Sequence, residues 1–206
     1  LFRSMKTMKM NFKSLALVAL VFTSVFAVSC NKEDFAPEHS FTTEEVDLKK
    51  GRALAPGTSS IAQIAIGAGF SELVNALVHV DTELNTSLVD MFMNGTDQYT
   101  VFAPTNDAFE ALYEFLGVDG ITEVDAELVK NVLFYHVTEG RRASNSVVPP
   151  VRPRSIETLL GVAFTVDSNG MITAVGNTAN IVAADISASN GIIHVIDTVI
   201  LPISVE

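Results

Sequence analysis

Apolar positions along the chain fall into three regimes. Leu15–Val28 is an almost unbroken apolar run of 14 residues, and residues 31–57 mix charges and prolines with no sustained apolar period. From Ser59 onward, apolar positions recur first at helical and then at strand spacing. Ser59 or Ser60 caps a helix whose Ile61, Ile64 and Ala65 share a face, ended by Gly67 and Gly69. Ser71 caps a second helix through Leu73, Val74, Leu77 and Val78, and a third pattern, Leu84, Leu88, Val89 and Phe92, stops at Asn94-Gly95. Tyr99–Ala103 has strand character and Pro104 closes it. Thr105 then caps a helix through Ala108, Phe109, Leu112 and Tyr113, with Phe115 and Leu116 extending its apolar face. Asp125–Phe134 is another amphipathic helix, running into a strand at Tyr135–Thr138.

After Gly140 the texture changes. Arg141, Arg142, Pro149, Pro150 and Pro153 mark an irregular crossing, and Ser155–Leu160 has helical character. Val162, Phe164 and Val166 alternate as a strand, and Asn169-Gly170 forms a two-residue hairpin turn answered by Ile172 and Ala174. Gly176-Asn177 breaks that run. Ile181–Ile186 and Ile192–Leu201 supply two more strands joined across Asn190-Gly191, and Pro202 ends the last. Helices first, strands later and one strand embedded early make an α+β pattern, with helices covering part of an antiparallel or mixed sheet.

Ahead of this body the chain reads as an export segment. Arg3, Lys6, Lys9 and Lys13 precede the apolar run. The run is shorter than the roughly 20 residues a spanning helix needs, and suits a secretory signal. Ala27-Val28-Ser29-Cys30 resembles a lipobox, with Cys30 as the residue that receives lipid, and Cys30 is the one cysteine of the chain. A lone cysteine leaves the body without a disulfide framework, so its stability must come from its core. The residues after 58 are numerous enough to bury roughly two-thirds of their unfolded surface. Asn31-Lys32-Glu33-Asp34 resembles the tag that routes some Gram-negative lipoproteins to the cell surface. The expected organisation is therefore a signal peptide at 1–29, a lipid-anchored tether at 30–58 and a compact domain at 59–206. The tether has room for a short helix within 43–54.

Four of the 13 Lys and Arg and none of the 24 Asp and Glu precede Cys30, so the remainder carries a net charge of −15. Such a body is repelled by nucleic acid and by anionic headgroups. The expected membrane association is through lipid on Cys30, with no nucleic-acid partner.

Three segments point to a family. Thr100–Phe109 reads T-V-F-A-P-T-N-D-A-F, Tyr135-His136 follows an amphipathic helix, and Asn190–Pro202 reads N-G-I-I-H-V-I-D-T-V-I-L-P. In this order they resemble the fasciclin-type domain, and the resemblance covers residues 59–202. It implies a wedge-like β-sandwich flanked by helices, and adhesion or ligand binding without catalysis or cofactor. As folding devices, Pro104 stops strand pairing while Thr105 and Asp107 place an oxygen and a negative charge at a helix N-terminus. Tyr135 and His136, as strand neighbours, would point to opposite faces. In some animal relatives this pair has been linked to integrin binding, and Asp185-Ile186 resembles a dipeptide proposed for the same role. Tyr135 and His136 also have a reading as hydrogen-bonded core residues, and Ile186 as core that continues the apolar pattern of Ile181 and Ala183-Ala184, while Asp185 stays a site candidate.

Catalytic constellations are weak. His39, His79, His136 and His194 lack H-E-x-x-H spacing and no cysteine accompanies them in the body. Ser71 lacks the G-x-S-x-G frame, and Gly67-Ala68-Gly69 lacks the third glycine of a dinucleotide loop. The expectation is a non-enzymatic envelope lipoprotein, located at the outer membrane, that binds a protein or glycan. The alternative is an accessory lipoprotein capturing a small molecule or oligosaccharide for an outer-membrane uptake system. That version predicts an aromatic-lined pocket, and the absence of Trp leaves little material for one.

Overall fold

The computed structural model describes residues 55–204. The signal segment, Cys30, His39 and residues 31–54 of the tether lie outside the described residues.

Among the described residues, six helices and seven strands follow in the order three helices, β1, two helices, β2, a short helix, then the remaining five strands. α1 (Ile61–Gly67) starts with a reciprocal capping box: Ser60 Oγ accepts the Gln63 N–H while Gln63 Oε1 accepts the Ser60 N–H. α2 (Ser71–Leu84) buries Leu73, Ala76, Leu77 and Val80, one stripe at i, i+3, i+4 and i+7. Ser71 does not cap it. The cap position is Phe70, without a side-chain bond, and the early Glu72 N–H is instead accepted by Asn106 Oδ1 at 3.2 Å. α3 (Leu88–Asn94) is capped from α2, where the Asp81 carboxylate accepts the Leu88 and Val89 N–H groups at 2.7 and 2.9 Å. Burial pulls the Asp81 carboxyl upward, but bonds from Thr86, Val89 and Leu88 outweigh it and hold the pKa below the ordinary carboxylate value.

β1 (Tyr99–Pro104) leads into α4 (Asn106–Leu116), where Thr105 Oγ1 accepts the Ala108 N–H as expected. A single 3-10 turn at Ile121–Glu123 precedes α5 (Ala126–Tyr135), capped by Asp125. The α5 boundary corrects one reading: Tyr135 is the last helical residue and His136 its C-cap, so the pair does not sit in the strand. β2 (Val137–Glu139) begins just after them. A short α6 (Ser144–Val147) follows, and the segment read as helical at Ser155–Leu160 opens as the strand β3 (Arg154–Glu157). Alternation explains this, because Ile156 points into the core while Ser155 and Glu157 face out.

β4 (Ala163–Val166) and β5 (Met171–Thr173) form the expected hairpin, with a longer loop than two residues. Asp167 Oδ1 accepts the Asn169 and Met171 N–H groups and Gly170 takes a φ of 81°. β6 (Thr178–Ala188) and β7 (Gly191–Ile196) join across Ser189-Asn190, with Ala188 opposite Gly191. β7 ends at Ile196 and not at Leu201, although Val199, Ile200 and Leu201 stay buried beyond it.

The strand order is β2-β1-β7-β6-β5-β4-β3, with β1 and β7 parallel and the other pairs antiparallel. β6 is shared by two layers. Its first residues pair with β5, and its later ones pair with β7 after register shifts between Ile181 and Ile186. The outer strands also touch, since the Leu159 N–H bonds Val137 O at 2.8 Å and the Thr138 hydroxyl bonds Glu157 O at 2.6 Å. The result is a folded-over seven-stranded sheet of an α+β domain.

Two cores follow from strand alternation. In β1, Val101 and Ala103 join the helices in one cluster, while Phe102 enters the second with Tyr135, Ile156, Phe164 and Ile172. β7 divides likewise between Ile193 and Ile196. Both central strands are buried on both faces, as expected of the parallel pair at the middle of a covered sheet.

Candidate functional site

The three signature segments meet along the β1–β7 seam, where Tyr99 to Pro104 lie in register with Gly191 to Ile196. Asn106 of the first segment stitches two helix starts together: its Oδ1 accepts the Glu72 N–H and its Nδ2 donates to Gly69 O at 2.9 Å. Asn190 of the third ties the start of α1 to the last turn of α3, accepting the Ile61 N–H at 2.8 Å and donating to Phe92 O at 3.0 Å. Gly191 beside it cannot carry a side chain, because a Cβ there would lie 2.1 Å from Tyr99 O and 2.7 Å from Ile61 Cδ1.

Both imidazoles of the signature segments are buried and doubly bonded. His136, 3 % exposed, has Nδ1 at 2.7 Å from Val132 O, and its Nε2 accepts the Ile200 N–H at 3.1 Å. A carbonyl accepts and an N–H donates, so His136 must carry its proton on Nδ1. Burial pushes its pKa down to about 4, against the small upward pull of the Val132 carbonyl. His194, fully buried, is the opposite tautomer. Its Nε2 donates to Arg142 O at 2.9 Å and its Nδ1 accepts the Asp185 N–H at 3.4 Å. Burial lowers its pKa too, against the Arg142 carbonyl and the Asp185 charge. Neither ring has a lone pair left for a metal or a proton in transit.

The other named candidates are also engaged. Tyr135 is fully buried, its hydroxyl donating to Ala163 O and accepting the Val175 N–H, with its ring edge-on to Phe164. Asp185 sits at the β6 bulge with φ 63°, a left-handed conformation that Asp tolerates better than most residues. Its carboxylate accepts the Ser144 N–H at 2.7 Å and the Ser144 hydroxyl at 2.5 Å, fixing the start of α6. Ile186 is half-buried against the helix-side core. The structure thus ties Asp185 to His194 and separates that pair from Tyr135 and His136.

The residue that sequence reading passed over is Arg141. Its guanidinium donates to Ala188 O at 2.8 Å, Gly191 O at 2.5 Å, Ala55 O at 3.1 Å and the Ser187 hydroxyl. It fastens the entering chain at Ala55 to the β6–β7 hairpin, and burial lowers its pKa. An arginine following a glycine in a proline-rich crossing carries no local sign of this.

Two apolar recesses flank the helices. One, of about 70 Å³, is lined by Phe109, Leu112 and Leu116 of α4, Val124, Leu128 of α5 and Ile203 among others. The second, about 40 Å³, lies under α1 and α3. A groove of about 500 Å³ runs along α2 past Glu72, Val78, His79, Glu83 and Asp119. Among the described residues no three of His, Cys, Asp and Glu converge as a metal site. Among them, too, no helix is long and apolar enough to cross a membrane.

Residues 68–202 match the family model of the fasciclin domain. The chain belongs to the fasciclin-domain family. It is 31 % identical over 185 residues to Protein sll1483 of Synechocystis sp., covering 89 % of this chain and 95 % of that one. It is 33 % identical over 118 residues to the cell surface glycolipoprotein MPB83 of Mycobacterium bovis, covering 57 % of this chain and 49 % of that protein. Among solved structures it is similar to a fasciclin domain pair from the insect cell adhesion molecule Fasciclin I. That match has 21 % identity and a TM-score of 0.47, over 65 % of this chain and 46 % of the other. Within the fasciclin domain described here, the signature residues are the ones that hold the two cores and the helix starts together.

Proposed function

We propose that this fasciclin-domain protein is a non-catalytic binding module of the cell envelope. It is tethered to the outer membrane of a Gram-negative bacterium through lipid on Cys30, and it recognises a protein or glycan with its outer surface. The observation that carries this reading is the engagement of the signature imidazoles, phenol and amides inside the body: His136, His194, Tyr135, Asn106 and Asn190 all spend their polar atoms on main-chain groups. Catalysis needs a titratable group free to exchange a proton with a substrate, and these rings are closed to it. The cell-surface name of one relative supports the envelope location. Asp185 and Ile186, both half-buried, serve the bulge and the core, and recognition falls to the exposed periphery.

Capture of a free small molecule fits less well. The most enclosed apolar recess, at about 70 Å³, falls far short of the several hundred Å³ of ordinary ligand pockets, and the roomier groove along α2, at about 500 Å³, has no Phe, Tyr or Trp in its lining on which a sugar could stack. Growth with labelled palmitate tests the anchor: label on the wild-type chain and none on Cys30→Ala is expected, and label persisting in the variant refutes it. Immobilised matrix proteins and glycan arrays test recognition. Saturable binding to a protein or glycan is expected, and tight binding of one small molecule with nothing else bound contradicts the reading.

A further inference from the structure

The acidic charge of this protein is unevenly placed. Between Ala53 and Val129 there are 12 Asp and Glu and no Lys or Arg. That stretch builds α1 to α4, β1, the 3-10 turn and the start of α5, so these helices bring acids and no Lys or Arg to their side of the domain. Lys130, the next base, is ion-paired with Glu127 at 2.5 Å. The same side holds the 70 Å³ recess, whose lining is apolar apart from the neutral, fully bonded His136. Its walls reach the surface: Leu116 is 42 % and Ile203 50 % exposed, and both line the recess. Phe115, beside Leu116, is 63 % exposed and lines an adjoining apolar recess that shares Leu112, Val199 and Leu201 with the first. The wall running from Ile121 to Leu128 carries Glu123, Asp125 and Glu127, all exposed, with Asp119 just ahead of it.

We propose that this recess and its acidic wall form a docking groove for a cationic amphipathic helix of another protein. The recess has room for one aliphatic side chain as a knob, being smaller than the roughly 150 Å³ cavity that accepts benzene. Exposed Phe115, Leu116 and Ile203 extend that contact along an apolar strip, which suits anchors at i, i+3 or i+4 of a helix. The acidic surroundings select basic flanks, accelerate encounter and repel anionic amphiphiles such as fatty acids. The inference deepens the binding-module reading and is independent of the lipid on Cys30, so failure of one leaves the other standing.

The test uses the full chain and a fluorescein-labelled Leu/Lys amphipathic helix of about 18 residues, long enough to fold on contact. Fluorescence anisotropy should show saturable binding that weakens several-fold as salt rises from about 50 to about 500 mM. Leu116→Glu and Ile203→Glu, at half-exposed positions that keep the fold, should each weaken binding about tenfold. Asp119→Lys with Glu123→Lys should weaken it and flatten the salt dependence. Near-UV circular dichroism unchanged from wild type shows that each variant remains folded. Equal binding of a scrambled Leu/Lys peptide lacking an apolar face, equal binding of a Leu/Glu helix, no saturable binding, or full affinity in Leu116→Glu each overturns the proposal. A dimer of this chain that excludes the peptide overturns it as well.

Discussion

His136 provides a quantitative handle on the interior. In the folded protein its pKa is lowered to about 4, by burial first, while an unfolded histidine titrates at about 6.5. The unfolded chain therefore takes up a proton at this residue as pH falls through about 6.5, and the folded chain does not until about pH 4. Stability from this residue is complete above about pH 6.5 and is lost progressively below it, at about 1.4 kcal/mol per pH unit and about 3 kcal/mol in all. His194 is shifted in the same direction and adds to the slope. The carboxylates of Asp81 and Asp197, held below the ordinary value, add their own loss only further into acid. The assay is urea unfolding followed by circular dichroism at about pH 7.5, 6.5 and 5.5, where the two imidazoles dominate. His136→Gln should remove about one proton from the slope. It should also lower stability at pH 7.5 by about 1–3 kcal/mol, because Val132 O and the Ile200 N–H lose their shared partner. Equal stability at the three pH values, or an unchanged slope in the variant, would refute the assigned bonding.

Gly191→Ala should unfold the hairpin region or cost several kcal/mol, since its Cβ would meet Tyr99 O at 2.1 Å; a thermal midpoint within about 2 °C of wild type contradicts this. Asp81→Ala should cost about 1–2 kcal/mol at neutral pH through loss of the α3 cap, and the gap from wild type should close as acid protonates Asp81 in the parent; unfolding curves at two pH values check both. Asp185→Ala, which releases Ser144 at the start of α6, should increase amide exchange in Ser144–Val147 selectively; uniform exchange across the domain argues against it.

Much of the fold was legible in local signals. Ser60 and Thr105 cap because serine and threonine hydroxyls reach the third amide, and the stripe at Leu73 to Val80 has the spacing a buried helix face requires. Where the reading failed, the deciding partner was distant in sequence. Phe70 rather than Ser71 holds the α2 cap position because Asn106, 34 residues away, supplies the Glu72 acceptor. The end of α5 was not legible because nothing in the local pattern at Tyr135 separates a helix end from a strand start; His136 closes the helix by main-chain bonds to Leu133 and Phe134. The candidate residues were visible as motif members, but their roles depend on bonds to Ile200, Arg142, Ser144 and Ala163, which no spacing rule reaches. The acidic helical side, by contrast, was open to a simple count of bases between residues 53 and 129.

That the signature residues are consumed in holding the body together is tested most directly by nitrogen-15 NMR of the two imidazoles. Between about pH 7.5 and about pH 5, His136 should remain neutral with its proton on Nδ1, while His194 should carry its proton on Nε2 when neutral and titrate below the ordinary imidazole range. Either ring titrating with an ordinary midpoint near about 6.5, or interconverting between tautomers, would mean that it is open to solvent and free to act.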